Sequence, residues 1–370
     1  MLADIDLTQL SEISTKDKSC LSLYISSPNS LYNLDRGFEQ VRRVLKINDT
    51  EKDERELFEE NVNVIKKHLE KNPMESGSLC IFSCWGLDFF EVYRLPVPVK
   101  DIIWFDSSPY IRPLAELKEE YENVAVVIAD NKKARIFLIS SAIAGNESTI
   151  EGNIKNHVKK GGWSQQRYER RRDKQLLLYS REIVDALTEL EKTEEFRRIL
   201  LVGGKEVLQI LFNNLPQNLQ EKVGQKAIDL RKGEDTINKE IMGLFFEQER
   251  QSELDLWEKI RAEYLRDGLG IVGVTNVLYA LKSGQVEEII INRDYKITGK
   301  RCRVCENLES GDVDICSKCG SDSLFAVDLV NEIVELANQS SATVDFCDRI
   351  DTLKEAGEIA AFLRYKANIG

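Results

Sequence analysis

Four cysteines fall in two pairs toward the C-terminal end, Cys302-Arg-Val-Cys305 and Cys316-Ser-Lys-Cys319, with ten residues between the pairs and Gly320 directly after the second. Two such pairs can bring four thiolates onto one tetrahedral ion at about 2.3 Å each, and a site filled by protein ligands leaves no place for a catalytic water. The chemistry expected is a structural zinc held by Cys302, Cys305, Cys316 and Cys319. Four reduced core cysteines are a poorer account, because the surrounding segment is rich in Gly, Ser and Asp. A single CxxC pair also suits redox work, which two matched pairs disfavour. Cys20, Cys80, Cys84 and Cys347 stand in apolar stretches and read as core residues.

A second concentration of chemistry is basic. From Lys155 to Lys174 stand Lys155, Lys159, Lys160, Arg167, Arg170, Arg171, Arg172 and Lys174 against Glu169 and Asp173, a net +6 within a chain of formal net charge −12. Arg167, Arg170 and Arg171 share one face of a helix by their spacing and can track a phosphate backbone. Gly161-Gly162, just ahead of that helix, reaches backbone angles closed to other residues, so peptide N–H groups can come close to a ligand. Charge alone equally fits an exposed charged helix with a flexible lead-in. With only His68 and His157 in the chain, a histidine-based nucleophilic triad is not expected.

The elements that must position these groups follow from length and pattern. A chain of 370 residues implies two or three domains. Its 42% hydrophobic and 31% charged residues are those of a folded soluble protein, and no stretch of about 18 apolar residues is present to span a bilayer. The opening MLADIDLTQL lacks the charged-then-apolar pattern of a secretory signal, so a cytoplasmic location without membrane association is expected. Eight cysteines are too few for a disulfide scaffold. The acidic balance argues against general coating of nucleic acid, DNA included, and confines any RNA contact to the basic stretch.

CLSLYIS at 20–26, SLCIFS at 78–83 and FFEVYRL read as strands, the last ended by Pro96 and Pro98. Leu31 to Lys71 reads as a helical hairpin turning at Asn48-Asp49-Thr50. VAVVIAD and ARIFLIS read as a strand pair joined at Asp130-Asn131-Lys132. Gly145 to Gly162 reads as a loop, Ser164 to Glu191 as a long helix, and Ile199 to Gly204 as a buried strand closed by a glycine turn. A charged helix over 235–266 precedes a helix, the strand VEEIIIN, the cysteine cluster and a helix from Asp328. The expected fold class is mixed α/β, in three α/β domains at 1–120, 121–251 and 252–370, with a zinc ribbon at 300–322 inserted in the last.

KKGGWSQQRYERRRDK resembles the glycine-glycine-glutamine loop and following basic helix of the archaeal and eukaryotic class I release factor family, with Gly161, Gly162, Ser164, Arg167, Tyr168, Arg170 and Arg172 in matching places. LSLYIS, SLCIF, ENVAVVIADNKKARIFLIS, LLVGG, GVTNVLYALKSGQVEEIIIN, the cysteine pairs and GEIAAFLRYK resemble that family in order over most of the chain. SSPYIRPLAELKEEY looks closest to its divergent bacterial and archaeal branch. The resemblance implies peptidyl-tRNA ester hydrolysis on the ribosome, with Gly161, Gly162 and Gln165 as catalytic residues. It implies contact with the tRNA acceptor end through Lys159, Lys160, Trp163, Arg167, Arg170, Arg171 and Arg172. A translational GTPase or recycling ATPase is the implied protein partner.

Two departures accompany it. Trp163 stands where the family glutamine follows the glycines, so Gln165 would act only after a two-residue shift, and Trp163 either stacks on the terminal adenosine or packs the loop. Asn48-Asp49-Thr50 and Tyr110-Ile-Arg112 stand where the family's codon-reading elements belong. The competing reading is a non-catalytic rescue factor resembling Pelota, which engages stalled ribosomes without the hydrolytic loop.

Overall fold

The computed structural model describes residues 5–47, 50–95, 97–120, 124–130, 133–140, 143–151, 163–193, 196, 198–227 and 234–366. The chain divides into two compact units, residues 120–252 and the combination of 1–119 with 253–370.

Residues 1–119 begin with a short helix, α1 (Leu7–Ser11), capped by the Asp6 carboxylate, which accepts the Thr8 and Gln9 N–H groups. The strands β1 (Cys20–Ile25), β2 (Ser78–Cys84), β3 (Phe89–Leu95) and β4 (Ile102–Asp106) form an antiparallel sheet in the order β3-β2-β1-β4. The expected hairpin is present as α2 (Leu34–Ile47) and α3 (Lys52–Lys71), while its tip at 48–49 lies outside the described residues. Alternation along β1 and β2 explains the layering. Leu21, Leu23, Ile25, Leu79 and Ile81 face Phe38, Phe58, Val62 and Ile65 of the hairpin. Tyr24, Cys80 and Phe82 face the other way, into a core that includes Leu114 of α4 (Arg112–Glu120). Cys20 and Cys84, expected as core thiols, are buried cross-strand partners joined as a disulfide. That pairing needs β1 and β2 in register, which spacing along the chain does not disclose.

Residues 120–252 hold the sheet β7-β6-β5-β8-β9, made of β5 (Val124–Ala129), β6 (Lys133–Ser140), β7 (Ile143–Glu151), β8 (Arg198–Gly203) and β9 (Val223–Ala227). β5 runs antiparallel to β6 and parallel to β8, and both β5 and β8 read as continuous apolar runs because both faces are covered. α5 (Trp163–Thr193) lays Leu176, Tyr179, Ile183 and Leu187 on this sheet beside Val207, Leu208 and Leu211 of α6 (Lys205–Asn214). The spacing of 3, 4 and 4 residues along α5 is that of one buried helical face. β7 corrects the loop expected from Gly145: the polar run IAGNESTIE pairs with β6 as an edge strand, where backbone pairing outweighs composition. A short helix, α7 (Gln217–Gln220), precedes β9, and the boundary between the units falls within α8 (Glu234–Leu265).

The remainder of the first unit contains β10 (Gly270–Val272), α9 (Val274–Lys282), β11 (Val286–Asn292), β12 (Thr298–Cys302), β13 (Leu308–Ser310), β14 (Leu324–Asp328), α10 (Leu329–Gln339), β15 (Thr343–Cys347), α11 (Asp351–Glu355) and β16 (Ile359–Leu363). One sheet has the order β10-β16-β11-β15, with β11 and β15 parallel; a smaller one has the order β13-β12-β14. α10 is buried along most of its length because α1 packs on it and its Val330, Ile333, Val334 and Ala337 join Leu7, Leu10, Phe82 and Leu114 in one core. Polar groups are matched beside the same core, some of them across the two stretches of chain. Ser108 Oγ and Asn331 Nδ2 both donate to Glu335 Oε1, at 2.7 and 2.6 Å. Arg301 Nη1 lies 3.2 Å from Glu332 Oε2, and the Tyr110 hydroxyl donates to Asp328 at 2.9 Å. The architecture is mixed α/β, as expected.

Candidate metal centre and basic helix

β12 delivers Cys302, and a tight turn returns the chain to Cys305. The turn closes through two backbone bonds, Glu306 N–H to Cys302 O at 2.8 Å and Cys302 N–H to Asn307 O at 3.0 Å. The second turn repeats the arrangement, with Gly320 N–H to Cys316 O at 2.9 Å and Cys316 N–H to Ser321 O at 2.8 Å. Gly320 takes φ +73°, an angle that favours glycine. Glu309 Oε1 holds the second turn from outside, accepting the Ser317 N–H at 2.8 Å and the Asn307 Nδ2 at 2.7 Å.

These turns bring the four sulfur atoms within 4.8 Å of one another. The Cys302–Cys319 and Cys305–Cys316 separations are 3.6 and 3.5 Å. A tetrahedron with bonds of about 2.3 Å has edges of about 3.8 Å, so the cluster fits one four-coordinate ion. The thiols also differ in acidity. Against burial, which raises it, the N–H groups of Cys305 and Val304 bring the Cys302 thiol down to about 7. The Ser321 N–H favours the Cys319 thiolate, but the neighbouring Cys305, Cys302 and Cys316 push that thiol up to about 12. Crowded thiols of this kind ionise together only when a cation takes up their charge.

The basic helix is α5. Arg170 and Arg171 are exposed on it, and Arg172 is half-buried and ion-paired with Glu206 in the first turn of α6. Trp163, Gln165 and Arg167 lie on the first two turns of α5, with side chains outside the described residues. Lys159, Lys160, Gly161 and Gly162 lie outside the described residues altogether. The structure therefore brings the four cysteines together and places two of the basic side chains free in solvent on one helix.

Sequence reasoning passed over Arg301 and Arg303, which flank Cys302. Arg303 Nη1 lies 2.6 Å from Asp17 Oδ1 and also pairs with Glu54, and its guanidinium sits over the Phe325 ring at 4.7 Å. Asp17 and Glu54, and the Ser14 hydroxyl that accepts from Arg301, lie more than two hundred residues away in the chain, beyond any local signal.

Residues 109–242 match the family described as bacterial archaeo-eukaryotic release factor family 10. The chain is 22% identical over 294 residues to peptide chain release factor subunit 1 of Methanococcoides burtonii, covering 71% of each chain. It is 24% identical over 377 residues to peptide chain release factor subunit 1-2 of Methanosarcina acetivorans, covering 87% of this chain and 91% of that one. Among solved structures, an archaeal translation termination factor is similar at 17% identity over 98% of this chain and 97% of its own, with a TM-score of 0.28. The chain is thus similar to archaeal peptide chain release factors over most of its length, and its residues 109–242 carry the pattern of that bacterial family.

Proposed function

We propose that this protein is a cytoplasmic, ribosome-associated factor that hydrolyses the ester joining a nascent peptide to tRNA, in termination or in rescue of stalled ribosomes. The observation that carries the reading is the family match over 109–242, a span that contains both Gly161-Gly162 and the basic half of α5. The reaction is attack of water on the ester carbonyl, within a site to which the ribosome contributes much. The protein's part is to present a backbone N–H at Gly162 to the developing oxyanion and to hold the water with Gln165. Arg167, Arg170 and Arg171, with Lys159 and Lys160, hold the tRNA acceptor end by phosphate contacts. The four cysteines hold a structural zinc. The part of the chain from Ser252 onward docks a translational GTPase or recycling ATPase, by analogy with the family.

Trp163 at the position of the family glutamine favours a second reading, a non-catalytic factor of the Pelota kind. Peptide release from ribosome-bound peptidyl-tRNA separates the two, assayed with and without a stop codon in the decoding site. Hydrolysis predicts release on both, since Asn48-Asp49-Thr50 offers no codon-reading motif. Gly162→Ala and Gln165→Ala should each lower the rate by roughly 10²–10³, the loss typical of one oxyanion contact. Ribosome binding without release, unchanged in both variants, would establish the Pelota-like reading instead.

A further inference from the structure

Arg303 sits between two metal-ligand positions, yet its side chain belongs to contacts with the N-terminal part of the same compact unit. Its backbone N–H donates to Ser323 O at 3.0 Å, and the turn on either side is pinned at Cys302 and Cys305. Its guanidinium enters an acidic socket of Asp17, Glu51 and Glu54, the last two at the start of α3. Glu54 is buried, and the same Oε1 that receives Arg303 also accepts the Lys18 N–H at 2.8 Å. Lys18 completes the clasp from the other side: its Nζ donates to Ala326 O on β14 at 3.1 Å and lies 5.4 Å from the Phe325 ring. Arg301 Nη2 adds a bond to Ser14 Oγ at 2.7 Å. Residues 14–18 and the first turn of α3 are thus held by side chains whose backbone is the metal-ligand turn itself.

We propose that metal occupancy of the four-cysteine site sets the order of residues 14–19 and of the first turn of α3, and through α3 the placement of the α2–α3 hairpin. The inference rests on reading the four cysteines as a metal site. β12 has five residues and β13 three, and little apolar surface lies among the ligand turns, so the metal is what fixes their shape. When the turn relaxes, Arg303 leaves the socket and the Glu54 carboxylate remains buried without its cation, which opens the socket to water. The shared core of Leu7, Leu10, Phe82 and Val330 keeps the two segments together, so the response is local rather than a separation of the unit.

Hydrogen exchange on the full-length protein tests this, in metal-loaded form and after metal removal with a chelator, with metal content measured by elemental analysis. One zinc per chain is expected. On removal, the amides of Thr15, Lys18 and Ser19, which donate to Ser107 O, Glu54 and Asp106 O, should exchange roughly tenfold faster or more. Arg303→Met retains the four ligands and should reproduce the faster exchange with metal content unchanged. Faster exchange confined to 302–323 after removal, or an Arg303→Met protein with parental protection at 15–19, overturns the coupling. Absence of bound metal together with fast exchange in Arg303→Met overturns the metal reading and leaves the socket as a purely ionic clasp.

Discussion

Glu332 is buried, and that burial raises its carboxyl from an ordinary 4.5 to about 7 despite the nearby Arg301, with Asp106 adding to the rise. Glu335 is pushed well above the usual range by burial and by Glu332, and burial raises Asp106 against the pull of Lys18. A carboxyl whose folded-state pKa exceeds its unfolded value gives stability that is complete below the unfolded pKa and is lost as pH rises through the folded one. For Glu332 that window runs from 4.5 to about 7, and at 1.36 kcal/mol per pKa unit the loss is on the order of 3 kcal/mol. Glu332→Gln removes the ionisation while keeping an acceptor for Arg301. Urea unfolding from about pH 5 to about pH 9 should show the parent losing stability and the variant losing less, by about that amount at the alkaline end. Carboxylates with lowered pKa, such as Asp35 beside Lys66 and Glu59 beside Arg42, are ionised throughout this range and do not interfere. A parent that gains stability on going alkaline, or a variant with the parent's slope, refutes the argument.

Two further outcomes follow from the second unit. A Cβ at Gly203 would lie 2.0 Å from the Ala129 carbonyl oxygen across the β5–β8 pairing, so Gly203→Ala should destabilise that unit by about 3 kcal/mol, read as an earlier thermal transition. Arg170→Ala should weaken ribosome association and reduce the slope of log affinity against log salt by about 0.7–0.9, whereas Arg172→Ala, whose partner is Glu206, should leave that slope nearly unchanged.

The sequence made legible those elements whose own pattern decides them. The α2–α3 hairpin and the long helix α5 follow from local patterning, and β5 and β8 from continuous apolar runs. The four cysteines declare themselves by spacing, since each CxxC turn is a local structure. What stayed hidden depends on partners distant in the chain. β7 is a strand only because β6 offers its edge, and Cys20 meets Cys84 only through the β1–β2 register. Arg303 gains its meaning from Asp17 and Glu54, and nothing near Cys302 announces them.

The first unit is built from two stretches of chain with residues 120–252 between them. Its core closes Ile5, Leu7 and Leu10 against Val330, Ile333, Ala361 and Leu363. During synthesis the N-terminal strands emerge first, with one face of their sheet already covered by α2 and α3 and the other waiting for partners that the ribosome has yet to make. At roughly 5–20 residues per second the intervening stretch takes on the order of ten seconds or more to appear, while residues 120–252 close their own sheet meanwhile. Contacts of such large sequence separation form slowly once available, so the apolar face of Tyr24, Cys80 and Phe82 needs protection until translation supplies its partners.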